Sequence, residues 1–189
     1  DDVDTALVAS AKILYCEGYL WDTDEAKAAI RHAMSVAHNA GRMVALALSD
    51  VFCVGRHRGE WLELLDGFVD VIFGNEQEVC ALSETAELSE ALDAVASRVN
   101  LVFATVGARG SVVADGSQRL SVPAVAAEQV IDTTGAGDLY ASGVLFGLSR
   151  GLPLEEVVWL GGAAASETIS HLGARPEINL ADLADDLRS

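Results

Sequence analysis

The sequence has few basic residues. Lysine and arginine together number 12, against 29 aspartates and glutamates, which gives a formal net charge of −17 at pH 7. Nucleic acids and anionic membranes are bound through basic surfaces that neutralise phosphates. The charge therefore argues against both as partners, and any bound nucleotide must be held by a few cations or by backbone donors.

Cysteine is also scarce. Cys16, Cys53 and Cys80 form an odd, scattered set without metal-ligand spacing, which favours buried core thiols in a reducing cytosol. The sequence has no signal-peptide pattern and no apolar run of bilayer length. We therefore expect a cytoplasmic protein.

Apolar residues, by contrast, are plentiful. They make up 51% of the 189 residues, which is enough for the core of one domain or of a large part of one. The chain opens on Asp1-Asp2-Val3-Asp4 without a methionine, which indicates a start inside a longer protein.

Short apolar runs alternate with segments of helical period. This alternation predicts βαβ units in an α/β protein with a mostly parallel sheet. The predicted strands are residues 12–15, 42–48, 69–73 and 101–106, followed by an antiparallel pair at 111–114 and 119–122. The predicted helices lie between Asp24 and Gly41 and at residues 60–65, 88–99, 135–150, 154–171 and 180–187.

One motif carries most of the functional information. Residues 132–138 read Asp-Thr-Thr-Gly-Ala-Gly-Asp and precede an apolar segment. Gly135 and Gly137 let the chain turn sharply into a helix whose first N–H groups remain free, and such groups bind phosphate. Asp138 falls in the first helical turn, where a carboxylate can face the acceptor hydroxyl of a phosphoryl transfer.

A purely structural interpretation of this motif is also open. Asp132, Thr133 and Thr134 could cap the helix, and the glycines could only permit close packing of the helix on a sheet. Two carboxylates around an anion hole repel a phosphate unless a cation is present, so the flanking acids favour a metal-phosphate ligand.

The motif resembles the Asp-Thr-x-Gly-Ala-Gly-Asp segment of the ribokinase-like carbohydrate kinases, the PfkB family. The resemblance implies a three-layer αβα fold with a mostly parallel central sheet. It also implies that Gly135, Ala136 and Gly137 form the anion hole for the transferred phosphate and that Asp138 is the general base.

The resemblance covers only the later part of such a kinase. The N-terminal βαβ region that grips the sugar and the lid sheet have no counterpart in this chain. Residues 1–189 are therefore expected to be a single partial domain that contains the nucleotide-binding portion, and this portion alone is expected to be inactive.

Two further motifs fit the same family. Asn75-Glu76-Gln77-Glu78 resembles the family's Asn-x-x-Glu motif, which implies that Asn75 and Glu78 lie by the magnesium and the nucleotide phosphates; a helix cap is the alternative. Residues 105–110 resemble the Thr-x-Gly-x-x-Gly nucleotide loop, which makes Thr105, Gly107 and Gly110 expected ATP contacts. Arg109 either reaches a phosphate or points into solvent.

The C-terminal residues complete the resemblance. Residues 163–168 and 173–176 resemble the last large helix and the Gly-Ala turn that lie by the adenine base in relatives, which makes Ala164 and His171 candidate cofactor contacts. Plain helix packing and a half-buried histidine are the alternatives. Family members commonly bind a monovalent cation beside the anion hole, and Asp132, Thr134 and the backbone near Gly173 match positions that supply its ligands.

The expected activity is ATP-dependent phosphoryl transfer to a primary hydroxyl of a nucleoside or sugar, with Mg²⁺ bridging the phosphates and K⁺ as the candidate monovalent cation. The segment 17–22, Ser49-Asp50 and the Gly-Ala-Arg-Pro sequence at 173–176 look most like bacterial adenosine-kinase-type members. The alternatives are a ribokinase- or fructokinase-type sugar kinase and a nucleotide-binding module without catalysis. An NAD-dependent oxidoreductase is disfavoured because an early glycine fingerprint is lacking. The expected partner is a small molecule, and a homodimer is left open.

Overall fold

The structure, a computed structural model, describes residues 3–186 and contains one six-stranded sheet. The order of the strands in the sheet follows the sequence: β1 Ile13–Glu17, β2 Met43–Ala47, β3 Val71–Asn75, β4 Leu101–Thr105, β5 Ser111–Asp115 and β6 Gln118–Val122. β1 and β2 are parallel, as are β2 and β3. Parallel neighbours need long crossover connections, and helices between these strands supply them. The predicted α/β class is confirmed.

Helices alternate with these strands. They are α1 Thr5–Ser10, α2 Asp24–Asn39, α3 Val51–Gly67, α4 Glu76–Ser83, α5 Leu88–Ala96, α6 Ala136–Arg150, α7 Leu154–Thr168 and α8 Leu183–Asp186. The predicted final helix at 180–187 begins instead as a 3-10 turn, and its last residue lies outside the described range. Within residues 3–186, no helix combines the length and the apolar character that crossing a bilayer requires.

The extent of α3 differs from the sequence prediction. Only residues 60–65 were expected to be helical, whereas the helix spans 17 residues. Asp50 caps its start by accepting hydrogen bonds from the backbone N–H groups of Phe52 and Cys53, at 3.0 and 3.2 Å. Gly55 and Gly59 lower the helix propensity of its first half, and buried packing overrides that preference.

β5 and β6 form the predicted hairpin. They are sheet neighbours joined by the turn at Gly116 and Ser117, and so short a connection requires antiparallel strands. Gly116 has a φ of +53°, a value that glycine adopts without steric cost.

The chain divides into two compact units, which are residues 1–104 with 113–119 and residues 105–112 with 120–189. The first unit has an aromatic core in which Phe73 and Phe103 stack with their ring centroids 5.2 Å apart, and Trp61 is fully buried. The second unit contains α6 and α7, which approach so closely that a Cβ on Gly143 would lie 2.7 Å from the carbonyl carbon of Leu160.

Candidate functional site

The candidate site is built around the start of α6. Gly135 is the N-cap residue and has a left-handed backbone with a φ of +79°. A Cβ on this residue would lie 2.6 Å from the Cβ of Ala174. Both the backbone angle and the close approach therefore require glycine at position 135.

The first turn of α6 presents N–H groups without acceptors. Among the described residues, no side chain caps this helix by a hydrogen bond, so the interpretation of Asp132, Thr133 and Thr134 as its caps is wrong. The N–H of Ala136 donates to the carbonyl of Thr133 at 3.2 Å and is not free, contrary to expectation. Within residues 3–186, the N–H groups of Gly137 and Asp138 have no acceptor, and free N–H groups at a helix start can donate to an anion.

The side chain of Asp138 is exposed in this first turn. Gly137 is also exposed, and no atom of residues 3–186 outside its own helical turn lies within 4 Å of the position that a Cβ would occupy on it. A reactant can therefore approach the two N–H groups and the Asp138 carboxylate from solvent. The arrangement offers hydrogen-bond donors to an anion and a proton acceptor beside it.

Asp132 fastens the segment before α6 to the turn at Gly173. Its Oδ1 accepts from the backbone N–H of Thr134 at 2.9 Å, and its Oδ2 accepts from the backbone N–H of Gly173 at 3.1 Å. These hydrogen bonds, first of all the one from the Thr134 backbone, hold the pKa of Asp132 below its usual value. Asp132 therefore links the residues that precede the Gly135 turn to the backbone at Gly173.

Ala164 cannot contact a ligand in this structure. It is 1% exposed inside α7, and its carbonyl accepts a hydrogen bond from the Thr168 hydroxyl at 3.1 Å. The expectation that it contacts a cofactor is therefore wrong, and helix packing explains the residue. Tyr140, on α6, is similarly buried, and burial raises its pKa to about 12.

His171 is held by an acidic neighbour. Its Nε2 lies 3.2 Å from Oε1 of Glu167, and the same oxygen accepts from the backbone N–H of Glu177 at 2.8 Å. The His171 side chain is only 14% exposed. These contacts agree with the alternative that His171 is a half-buried histidine, and they leave little exposed ring surface that a nucleotide could contact.

The loop at residues 105–110 contains a 3-10 turn, Gly107–Arg109, with exposed residues. Gly107 has a φ of +61° with open space beside it, so its backbone is accessible to a ligand. Gly110 has a φ of +100°, and a Cβ there would lie 2.5 Å from the Ala124 nitrogen. Close backbone packing therefore explains Gly110 without a ligand, while Gly107 and the half-buried Thr105 remain candidates.

Asn75 and Glu78 form a capping box at the start of α4 in the first unit. The Asn75 Oδ1 accepts from the Glu78 N–H at 2.9 Å, and the Glu78 Oε2 accepts from the Asn75 N–H at 2.9 Å. The Asn75 amide also donates to the Glu78 Oε1 at 2.7 Å. Burial raises the pKa of Glu78. This geometry is that of the helix-cap alternative, and it does not present Glu78 as a direct metal ligand.

The aromatic residues near β1 fall into two groups. Trp21 is 1% exposed, and its Nε1 donates to Oε2 of Glu60 at 3.2 Å. Tyr19 and Phe52 are 57% and 77% exposed. Trp21 is thus a core residue, whereas Tyr19 and Phe52 lie largely exposed at the surface.

Comparison with known proteins decides the family. The sequence profile of the pfkB family of carbohydrate kinases matches residues 1–180. The chain belongs to this family. The resemblance inferred from the motifs is therefore confirmed.

The PfkB chain is similar in structure to an adenosine kinase from Sinorhizobium meliloti, with a TM-score of 0.95 and 48% identity; the match covers 98% of this chain and 57% of that one. This likeness confirms the ribokinase-like fold.

In sequence it is 38% identical over 108 residues to a cytidine kinase from Thermococcus kodakarensis, covering 56% of this chain and 38% of that protein. It is 35% identical over 114 residues to a ribokinase from Lactococcus lactis, and this match covers 60% of this chain and 36% of that protein. The chain thus spans 36–57% of the length of these three relatives.

Proposed function

We propose that the complete protein containing this PfkB chain is an ATP-dependent kinase that phosphorylates a primary hydroxyl of a nucleoside or sugar, with adenosine as the preferred acceptor. The supporting observation is the start of α6, where two N–H groups without acceptors in the described residues lie beside the exposed Asp138. The likeness to an adenosine kinase supports the choice of acceptor. Residues 1–189 are then one part of the catalytic domain and are inactive alone.

In this mechanism ATP supplies the γ-phosphoryl group. The N–H groups of Gly137 and Asp138 donate to its oxygens and stabilise the charge that develops during transfer. The Asp138 carboxylate orients the acceptor hydroxyl and takes its proton. In a loose transition state that proton moves late, so orientation and charge stabilisation provide most of the rate. Thr105 and Gly107 contact the nucleotide.

Mg²⁺ would neutralise phosphate charge in this reaction. Both oxygens of Asp132 and both oxygens of Glu78 already accept hydrogen bonds from N–H groups. Such carboxylates fit contact with Mg²⁺ through water molecules, which this ion retains readily. Asp132 and Thr134, with the backbone near Gly173, are the proposed neighbourhood of K⁺.

We also infer a cytoplasmic location and no nucleic-acid or membrane partner. The net charge of −17 and three free thiols support this inference.

A coupled assay on the complete protein tests the proposed function. ADP release is measured with adenosine, inosine, ribose and fructose as acceptors, and ATP binding is measured separately by calorimetry. We expect turnover with adenosine to exceed that with the other three. ATP binding without a phosphorylated product from any acceptor would contradict the kinase and favour a nucleotide-binding module.

A further inference from the structure

Three side chains with different metal-ligand chemistry converge in the first unit. Asp22 ends the 3-10 turn that follows β1, while Cys53 and His57 lie four residues apart on one face of α3. The Asp22 Oδ1 lies 2.9 Å from the His57 Nε2. The ligand atoms of all three residues lie within 4.8 Å of one another.

We propose that Asp22, Cys53 and His57 bind one Zn²⁺ ion, with a water molecule as the fourth ligand. A thiolate, an imidazole and a carboxylate form a ligand set that favours Zn²⁺ among the common divalent ions. Zinc–ligand distances of about 2.0–2.3 Å place the ligands of a tetrahedral site about 3.3–3.7 Å apart. The 2.9 Å between the Asp22 Oδ1 and the His57 Nε2 must therefore open by about 0.5 Å, and any separation near the 4.8 Å limit must close by about 1 Å. The side chain of Asp22 is exposed and can turn to admit the ion.

The surroundings of the histidine support this site. The His57 Nδ1 lies 3.6 Å from Oε1 of Glu60, and Lys27 holds the same oxygen at 2.7 Å. A carboxylate facing the far nitrogen is the usual arrangement that orients a metal-binding imidazole. Zinc bound at Nε2 therefore leaves Nδ1 to donate to Glu60.

The charges of the cluster also balance. One thiolate and one carboxylate neutralise the two positive charges of the ion. Arg56 donates to both oxygens of Asp22, at 3.0 and 3.1 Å. When Oδ1 of Asp22 binds the metal, Arg56 can keep its hydrogen bond to Oδ2. The guanidinium then stabilises the carboxylate without occupying the oxygen that binds zinc.

Metal binding requires that the Cys53 thiol lose its proton. In the structure the thiol donates to the Gly18 carbonyl at 3.2 Å, and burial raises its pKa. Binding breaks the S–H bond, forms the S–Zn bond and releases one proton to solvent, with no change in oxidation state.

Titration of the complete protein with Co²⁺, followed by displacement with Zn²⁺, tests the site. We expect one equivalent of Co²⁺ to produce a thiolate-to-cobalt charge-transfer band with release of protons, and Zn²⁺ then to remove the band by displacing Co²⁺. Cys53→Ser should abolish the band, and His57→Asn and Asp22→Asn should each weaken Zn²⁺ binding at least about tenfold. Cys80→Ser and His38→Asn, which alter a thiol and a histidine outside the cluster, should leave both signals unchanged.

Asp22→Asn keeps the test independent of folding, because this side chain is exposed and circular dichroism can confirm an intact fold. Zinc should also raise the melting temperature of the wild type by more than that of Asp22→Asn at the same zinc concentration. The proposal is overturned if the wild type gives no thiolate band, or if the band and the affinity are the same in Cys53→Ser.

Discussion

At the residue scale, Gly135 and Gly137 stand two positions apart in the motif and have different physical reasons to be glycine. Gly135 combines a φ of +79° with contact to Ala174, whereas Gly137 lies in open space within α6. The first residue shapes the turn, and the second leaves the N–H groups uncovered. Substituting each by alanine separates these two roles.

Gly135→Ala should destabilise the protein by about 2–4 kcal/mol, because a left-handed alanine is strained and its methyl group would collide with Ala174. The free energy of unfolding in urea measures this loss. Phosphoryl transfer should fall as well, since the turn that directs the N–H groups is distorted. A variant of unchanged stability would show that this turn tolerates a side chain.

Gly137→Ala should behave in the opposite way. Alanine favours a helix over glycine by about 0.5–1 kcal/mol, and no atom lies within 4 Å of the added methyl group. Stability should be equal or slightly higher, while kcat with ATP falls because the methyl group covers the anion-binding N–H groups. Unaltered kcat would mean that these groups do not contact the transferred phosphate.

Asp132→Asn should change how stability depends on pH. Hydrogen bonds lower the pKa of Asp132 below the ordinary aspartate value of 3.8, so the folded state favours the carboxylate. The stabilisation that the ionised Asp132 gives the folded state is complete above the ordinary pKa of 3.8. It is lost as the pH falls through the lower pKa that this group has in the folded state. The wild type should be more stable than the variant at neutral pH, and the two should converge below about pH 4. Urea unfolding at a series of pH values checks this; a constant difference into strong acid would contradict it.

At the scale of elements, the pairing of α6 with α7 depends on small residues. A Cβ on Gly143 would lie 2.7 Å from the Leu160 carbonyl carbon, and one on Gly161 would lie 2.9 Å from the Tyr140 carbonyl oxygen. This close packing holds the helix whose first turn carries Asp138. The sequence showed the small residues but could not show which partner they meet.

Gly143→Ala should therefore cost about 1–3 kcal/mol of stability, because the methyl group would meet the backbone of α7. Gly59→Ala is the matched control: it lies in α3, is exposed and has nothing within 4 Å. That change should stabilise the protein by about 0.5–1 kcal/mol. Equal melting temperatures for the two variants would argue against close helix packing at Gly143.

The elements differ in how far local sequence predicts them. The strands and the start of the motif helix follow from apolar runs and from the Gly-Ala-Gly turn, which are local signals. The sequence does not predict the first half of α3, because Gly55 and Gly59 lower the helix propensity there. The helix forms because its other face is buried, which the local sequence does not show. Ala164 was misassigned because a run of alanines looks alike whether it faces a ligand or a packed helix.

At the scale of the whole molecule, the excess of acidic residues should make stability depend on salt. With a net charge of −17, self-repulsion opposes the compact state, and screening relieves it. Raising the salt concentration from about 10 mM to about 0.5 M should increase the melting temperature. NaCl and KCl should act alike through screening, so a greater effect of KCl would indicate the proposed K⁺ site. A melting temperature that falls with both salts would show that favourable ion pairs dominate.

Long-range contacts account for what sequence reasoning missed. The cluster of Asp22, Cys53 and His57 joins residues more than 30 positions apart, and their spacing in the sequence matches no metal motif. The link from Asp132 to Gly173 likewise spans 41 positions. The sequence motif predicted the sharp turn into α6 because its residues are contiguous, whereas contacts between distant residues could be seen only in the fold.

The proton-accepting role of Asp138 beside two free N–H groups is the central claim, and the kinetics of Asp138→Asn in the complete protein test it most directly. Its matched control is Glu155→Gln, which neutralises an exposed carboxylate in the first turn of α7. With adenosine and ATP, kcat should fall about 10²–10⁴-fold in Asp138→Asn, while the Kd for ATP changes little and the control keeps full turnover. Undiminished turnover in Asp138→Asn would contradict the account.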